Sequence, residues 1–349
     1  ASKNMSDDRV TPPVHWYEGM FLQPQHLQQL VRSADDALHY KTRLLSPFQW
    51  GVRRLEVDEE ALRSGRFKAL LEAVMPDGLI VQNHTRAQPL ERDFGDHEDR
   101  LRDGGRLRVY LGVPEPGRKT VETTPDEEVG YPLRYAVSPT VEIPDESTGT
   151  SDTPIAYLHA NARLFFASDE EPGWRVIPIA EIGWEEESFR LTDFIPPMLV
   201  VERTSAIAVL VRDLCQEMRA RATEIAGGFD AAVRHQDQGR TLEARFQAFG
   251  LVSSLMPLSQ MAELECYRPV DFYIALCRLF GELGTLGHGI VPPAPPIYEH
   301  EELSRTFGEL ASSIRALLVP LESAYDRLDV RGDDGKFEVM DLSADHLTR

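Results

Sequence analysis

Gly112-Val113-Pro114-Glu115-Pro116-Gly117-Arg118-Lys119-Thr120 comes within one residue of spelling a phosphate-binding loop. In such a loop the lysine follows the second glycine directly, so that its ammonium reaches the phosphates cradled by backbone N–H groups. Here Arg118 intervenes, and two prolines remove N–H groups the phosphates would need. The spacing does not support a nucleotide site. Asp93-Phe94-Gly95 spells the metal-holding triplet of protein kinases, but no glycine-rich loop or catalytic loop accompanies it. The ten histidines are scattered, with no His-Glu-x-x-His. His15 and His26 read as packed or capping side chains rather than zinc ligands. The acidic runs Asp126-Glu127-Glu128 and Glu185-Glu186-Glu187 read as solvated faces rather than calcium ligands, and Arg331-Gly332-Asp333 as a turn. No Gly-x-Ser-x-Gly elbow is present. Cys215, Cys266 and Cys277 are odd in number, form no Cys-x-x-Cys pair and lie in helix-like text. They read as buried, reduced thiols rather than a disulfide frame or a zinc site. The sequence therefore offers no catalytic residue, no metal site and no cofactor.

The composition points the same way. Among 349 residues, 57 acids face 37 bases, a formal net charge of −20. Nucleic acids and anionic membranes are polyanions, so a surface of this charge does not suit them. No run approaches the ~20 apolar residues of a membrane span. The opening ASKNMSDDRV is polar, so no apolar leader is read there. With 42% apolar residues the chain can build a sizeable core, and its length fits two domains.

The most unusual local text is 14–30, VHWYEGMFLQPQHLQQL. Trp16, Tyr17, Met20, Phe21 and Leu22 crowd into seven residues, punctuated by Gly19 and Pro24. Proline suits the first turn of a helix, where its missing N–H costs nothing. A helix is predicted over 25–44, with Leu27, Leu30/Val31, Ala34, Leu38 and Leu45 at three-or-four spacing. Large aromatics with few charges are what a buried anchor needs. Two readings stand: the segment packs under its own domain, or it forms an interface between chains.

Beyond Ser46 short apolar runs recur about every ten residues between Pro/Gly turns, the pattern of a β-sandwich or barrel. Strands are predicted over 51–57, 67–74, 79–81, 107–113, 135–137, 155–158, 162–167, 175–182 and 189–191. The stretches 58–65, 91–105, 114–128 and 147–154 read as turns and loops. No strand alternates with a long helix, which argues against a parallel α/β sheet. From Phe194-Ile195-Pro196-Pro197 the text turns helical. Ile207, Val211, Leu214, Met218, Ala222, Ile225 and Phe229 form one stripe, weakened at its end by Gly227-Gly228. Leu242, Phe246, Phe249, Val252 and Met256 form a second, which Pro257 is expected to kink or end. A third helix follows Pro269. A stiff connector, Pro292-Pro293-Ala294-Pro295-Pro296, leads to a fourth from Leu303 to Leu321. Four apolar stripes need one another, so a bundle is the natural solution. The fold class is thus α+β multidomain: a β-sandwich domain over 1–196, a helical bundle over 197–325, and 326–349 as a linker or the start of another domain, with one strand near 336–340.

The segment Trp16, Glu18, Gly19, Met20, Leu22, Pro24, Gln25, His26 and Gln28 resembles the opening signature of the TssK family, baseplate subunits of the bacterial type VI secretion system. It departs from that family at Leu27, usually Phe. Pro47, Phe48, Trp50 and Gly51, then Pro76, Asp77 and Gly78, resemble later family motifs, as do Tyr298 and His300 before the last helix. The resemblance implies a structural adaptor that catalyses no reaction, with a shoulder and neck like those of siphophage receptor-binding proteins. It implies a cytoplasmic homotrimer at the inner face of the inner membrane. The β domain would dock the wedge proteins TssF and TssG, the helices would form a trimeric neck, and a further domain, missing here, would face the TssL and TssM membrane proteins. Trp16, Glu18, Met20, Phe21 and Leu22 are the partner-binding candidates, for the wedge or for the trimer, with packing inside their own domain still open. A different class, a carbohydrate-active β-sandwich enzyme with a helical appendage, would need two carboxylates facing one cleft.

Overall fold

The computed structural model describes residues 10–83, 89–117, 121, 132–169, 172–234, 238–287, 291–318, 325–327 and 341–343. The chain divides into two compact units, Ala1–Leu199 and Val200–Arg349.

The first unit begins with an arm over 10–23 and helix α1 (Pro24–Leu45). Two antiparallel four-stranded sheets follow. One holds β1 (Gly51–Val57), β2 (Arg66–Val74), β3 (Ile80–Gln82) and β4 (Leu90–Asp93). The other runs in the order β10 (Arg163–Phe166), β5 (Leu107–Pro114), β11 (Trp174–Glu185), β12 (Ser188–Leu191). Alternate residues of a strand share one face. Phe67, Ala69, Leu71 and Ala73 of β2 thereby join Leu107, Leu111, Ile177 and Ile182 of the other sheet in one apolar core. That shared core makes the pair of sheets a sandwich.

Two stretches read as loops hold structure. Short helix α2 (Glu59–Arg63) closes the β1–β2 turn, its first turn capped by the Asp58 carboxylate, which accepts from the N–H groups of Glu60 and Ala61. The charged 91–105 carries β4 and α3 (Glu98–Arg102). Phe94 and Leu101 are fully buried there and pin the polar text to the core. The strand expected over 155–158 is divided. β8 (Thr153–Ile155) pairs with β7 (Val141–Ile143), and β9 (Leu158–Ala160) with β6 (Tyr135–Val137). The Glu185–Glu187 run is the tight turn of the β11–β12 hairpin, with Glu186 and Glu187 at φ 48° and 62°.

The second unit holds α4 (Ala206–Arg234), α5 (Gln238–Met261), α6 (Pro269–Gly287) and α7 (Leu303–Leu318). α4 runs through Gly227-Gly228, because burial of Ile207, Val211, Leu214, Met218 and Ile225 outweighs about 1 kcal/mol per glycine. α5 also continues through Pro257, and buried Leu258 and Ala262 hold the turn beyond it. A short pairing of β13 (Tyr325–Arg327) with β14 (Asp341–Ser343) follows. The strand expected over 336–340, the last residues of the fourth-helix stripe, and the runs at 126–128 and 331–333 lie outside the described residues.

Candidate functional site

The arm and α1 form the most distinctive surface. The chain turns tightly at Gly19, and the Met20 N–H donates to the Tyr17 carbonyl at 3.3 Å. Pro24 opens the helix, and His26 caps it: its Nδ1 accepts from the Gln23 N–H at 3.1 Å. The Trp16 ring lies 6.3 Å from the His26 ring, and Thr11 donates from its N–H to the Asp36 carboxylate at 3.1 Å. The arm therefore runs back along the helix it precedes.

The aromatic and aliphatic side chains of this element face outward. Phe21 is 82% exposed, Leu22 60% and Trp16 45%. Glu18 is exposed and Met20 half-buried. The apolar stripe of α1, from Leu27 through Leu30, Val31 and Leu38 to Leu45, is exposed as well, and the helix buries no residue. The reading in which the segment packs under its own domain is not what the structure holds. A stripe this wide is what a helix presents to a neighbour.

The other residues of the sequence motifs have structural places, each within its own unit. Asp77 sits in the Pro-Asp-Gly turn with its side chain mostly buried and accepts from Arg134 at 2.8 Å, with Arg175 at 3.6 Å. Arg134 also donates to the Pro114 carbonyl at 2.7 Å. His39 of α1 packs on this turn so closely that a Cβ at Gly78 would lie 2.7 Å from its Nδ1. Trp50 is buried, and Gly51, at φ +126°, lets the Pro197 carbonyl approach to where a Cβ would be 2.5 Å away. The Val52 N–H donates to that carbonyl at 2.8 Å. In the helical unit, the Tyr298 hydroxyl lies 2.7 Å from Nδ1 of buried His300. Burial raises the Tyr298 hydroxyl well above the ordinary tyrosine range, and raises that of neighbouring Tyr273 to about 12.

The residues that could have done chemistry are placed otherwise. Gly112–Pro114 lies inside β5, with Gly112 against the Phe165 ring. Phe94 of the Asp-Phe-Gly triplet is a core residue, and Asp93 accepts from the Gly95 N–H at 2.7 Å. Among the described residues no three His, Cys, Asp or Glu side chains gather as a metal group. No described helix is long and apolar enough to cross a membrane. The thiols correct the sequence reading in part. Cys215 is buried, and burial raises its thiol to about 11. Cys277 is half-buried, and Cys266 is exposed because it falls in the turn between α5 and α6.

The sequence model of the family described as "Bacterial Type VI secretion, VC_A0110, EvfL, ImpJ, VasE" matches residues 26–335. The chain belongs to this type VI secretion family. A curated relative of Pseudomonas aeruginosa, the type VI secretion system baseplate component TssK1, is 28% identical over 322 residues, which span 89% of this chain and 70% of the relative. Among solved structures, a chain of a cryo-electron microscopy TssK–TssF–TssG baseplate subcomplex superposes with a TM-score of 0.76 at 22% identity, over 88% of this chain and 99% of that one. A crystal structure of TssK gives 0.76 at 21%, over 93% and 74%. A chain of the type VI baseplate complex gives 0.78 at 21%, over 93% and 73%. The family resemblance carried by Trp16 to Gln28 is thus met by the rest of the chain, and the fold is the α+β arrangement of the TssK structures. The match of the family model begins at residue 26, so the exposed arm lies just before it.

The sequence periodicity predicts one apolar stripe on α5, and the structure gives this helix two apolar faces. Leu251, Leu255 and Leu258 are buried inside the unit, while Leu242, Phe246, Phe249 and Met256 stay 53–74% exposed and Val252 39%. The signal was in the sequence: apolar residues occupy too many positions of this helix for one stripe.

Proposed function

We propose that this chain is a structural baseplate subunit of a type VI secretion system, acting by holding neighbours rather than by catalysis. Its N-terminal arm and α1, with Trp16, Glu18, Met20, Phe21 and Leu22 at their turn, dock wedge proteins of the TssF and TssG kind. Its helical unit self-associates as a homotrimer through the outer face of α5. The assembly stands at the cytoplasmic face of the inner membrane and links the wedge to the membrane proteins TssL and TssM. In this reading a sandwich domain over 1–196 bears the arm, a bundle over 197–325 forms the neck, and 326–349 is a linker or the start of another domain.

One observation carries the reading: a 22-residue amphipathic helix and its aromatic arm hold no fully buried residue in the unit that bears them. Apolar surface of that extent marks a protein–protein site. The relatives named above, baseplate components and a TssK–TssF–TssG complex, supply the class of partner. Co-expression of the full chain with TssF and TssG from the same organism tests the proposal. A stable complex is expected on size exclusion, with the chain alone eluting at three times 39.4 kDa. Separate elution of chain and wedge would overturn the docking role, and a monomeric mass would overturn the trimer.

A further inference from the structure

Between Arg134 and Asn161 a two-stranded ribbon leaves the sandwich, β6 and β7 running out, β8 and β9 running back. None of residues 135–160 is buried. An isolated two-stranded ribbon is marginal in water without a face packed on something, yet both ends of this one are held. At the root, the Asn161 N–H donates to the Arg134 carbonyl and its Nδ2 to the Leu133 carbonyl, each at 2.9 Å. At the tip, the Asp145 carboxylate accepts from the N–H groups of Ser147 at 2.8 Å and Thr148 at 3.1 Å. The Gly149 N–H returns to the Asp145 carbonyl at 2.7 Å. The two donors keep the Asp145 carboxyl ionised below the usual carboxylate range.

Along the ribbon, apolar side chains stand directly opposite one another in water. Val137 faces Leu158 and Val141 faces Ile155, with Tyr157 between, all 38–52% exposed. Along the outer half of the ribbon, Pro139, Pro144 and Pro154 donate no N–H and disfavour strand addition there, while at the root Tyr135 bridges to Val121. The side-chain faces are therefore what a partner would cover. Charge identifies that partner. Residues 135–160 hold Glu142, Asp145, Glu146 and Asp152 and no Lys or Arg. A second copy of this chain, at net −20, repels such a ribbon.

We propose that the 135–160 ribbon is a second docking arm, which seats on a basic, apolar-lined face of a wedge protein. It rests on the wedge-binding reading above and adds a surface separate from the N-terminal arm. The test is the affinity of the full chain for the TssF–TssG pair as a function of salt. The triple variant Glu142→Gln, Glu146→Gln, Asp152→Asn should weaken binding about tenfold at low salt and flatten the salt dependence. The double variant Val141→Ser, Ile155→Ser should weaken it by a similar factor at every salt concentration. Melting temperature and oligomeric mass should stay at wild-type values in both, since every changed side chain is exposed. Wild-type affinity in both variants overturns the ribbon alone and leaves wedge binding standing. Loss of trimer mass in either variant overturns it in favour of a second copy of the chain. A wild-type chain that fails to bind the pair overturns the ribbon together with the reading beneath it.

Discussion

Phe21 and Asp77 sit at opposite ends of what a side chain can do here. Phe21 projects into solvent with 82% of its surface exposed, so the isolated chain gains little from it. Phe21→Ala should leave the unfolding free energy within about 0.5 kcal/mol of wild type. The same change should cost about 2 kcal/mol of wedge affinity, roughly 30-fold, if the ring is a buried anchor in the complex. Calorimetry on the chain and titration with TssF–TssG separate the two. Asp77 works inward. Its carboxylate answers Arg134 and Arg175 beneath the turn that His39 of α1 packs upon. Asp77→Asn leaves a buried guanidinium without its countercharge and should cost about 3 kcal/mol of stability. Denaturant unfolding checks this, and an unchanged midpoint would mean that the Arg134 cluster is solvated.

At the scale of elements, the sequence yielded most where one periodicity ran uninterrupted. α1 lies within a residue of its predicted range, and α6 starts at the proline that predicted it, because proline opens each and the stripes are regular. β1, β2 and β5 were legible because alternation and turn residues agreed. The failures have physical causes. β4 and α3 hide in charged text because only Phe94 and Leu101 tie them to the core. β7 was unreadable because a ribbon with no buried face carries no alternation to detect. Which apolar stripes face water is also beyond a sequence: the stripes of α1 and of outer α5 look like any core face until the unit around them is built. One element also has a legible pH response. At the start of α6, Arg268 donates from its guanidinium to Asp271 at 2.8 and 3.0 Å and from its N–H at 2.9 Å. Chiefly through the Arg268 side chain, the Asp271 carboxyl is held below its ordinary 3.8. A carboxyl whose folded pKa is depressed stabilises the fold above its unfolded value, and that contribution fades as pH falls through the folded value. Asp271→Asn should therefore be less stable than wild type at neutral pH, and the gap should close below about pH 4. A gap of constant size from pH 7 to pH 3 would assign the loss to packing instead.

At the scale of the whole molecule, the question is what covers two unpartnered apolar faces on a chain of net charge −20. Isolated exposed leucines need no explanation, but a stripe such as Leu242, Phe246, Phe249, Val252 and Met256 does. Like charge resists self-association, so the trimer seam proposed above has to be apolar and local, and the outer face of α5 is the candidate for it. The face is self-complementary in the sense a closed ring needs, since three copies of one helix can bury the same residues against one another. Phe249→Asp places a carboxylate at the centre of that seam, where each copy would meet two others. It should convert a trimer to monomers, with little effect on the unfolding midpoint of the helical unit, because Phe249 is 74% exposed there. Light scattering reads the mass, and circular dichroism reads the helix content. A Phe249→Asp chain that keeps the wild-type mass would move the seam away from α5. Conversely, a chain that dissociates but still binds TssF–TssG as a monomer would show that the arm and the neck act independently. In that event the trimer serves avidity: three weak arms on one ring would hold a wedge assembly far more tightly than one.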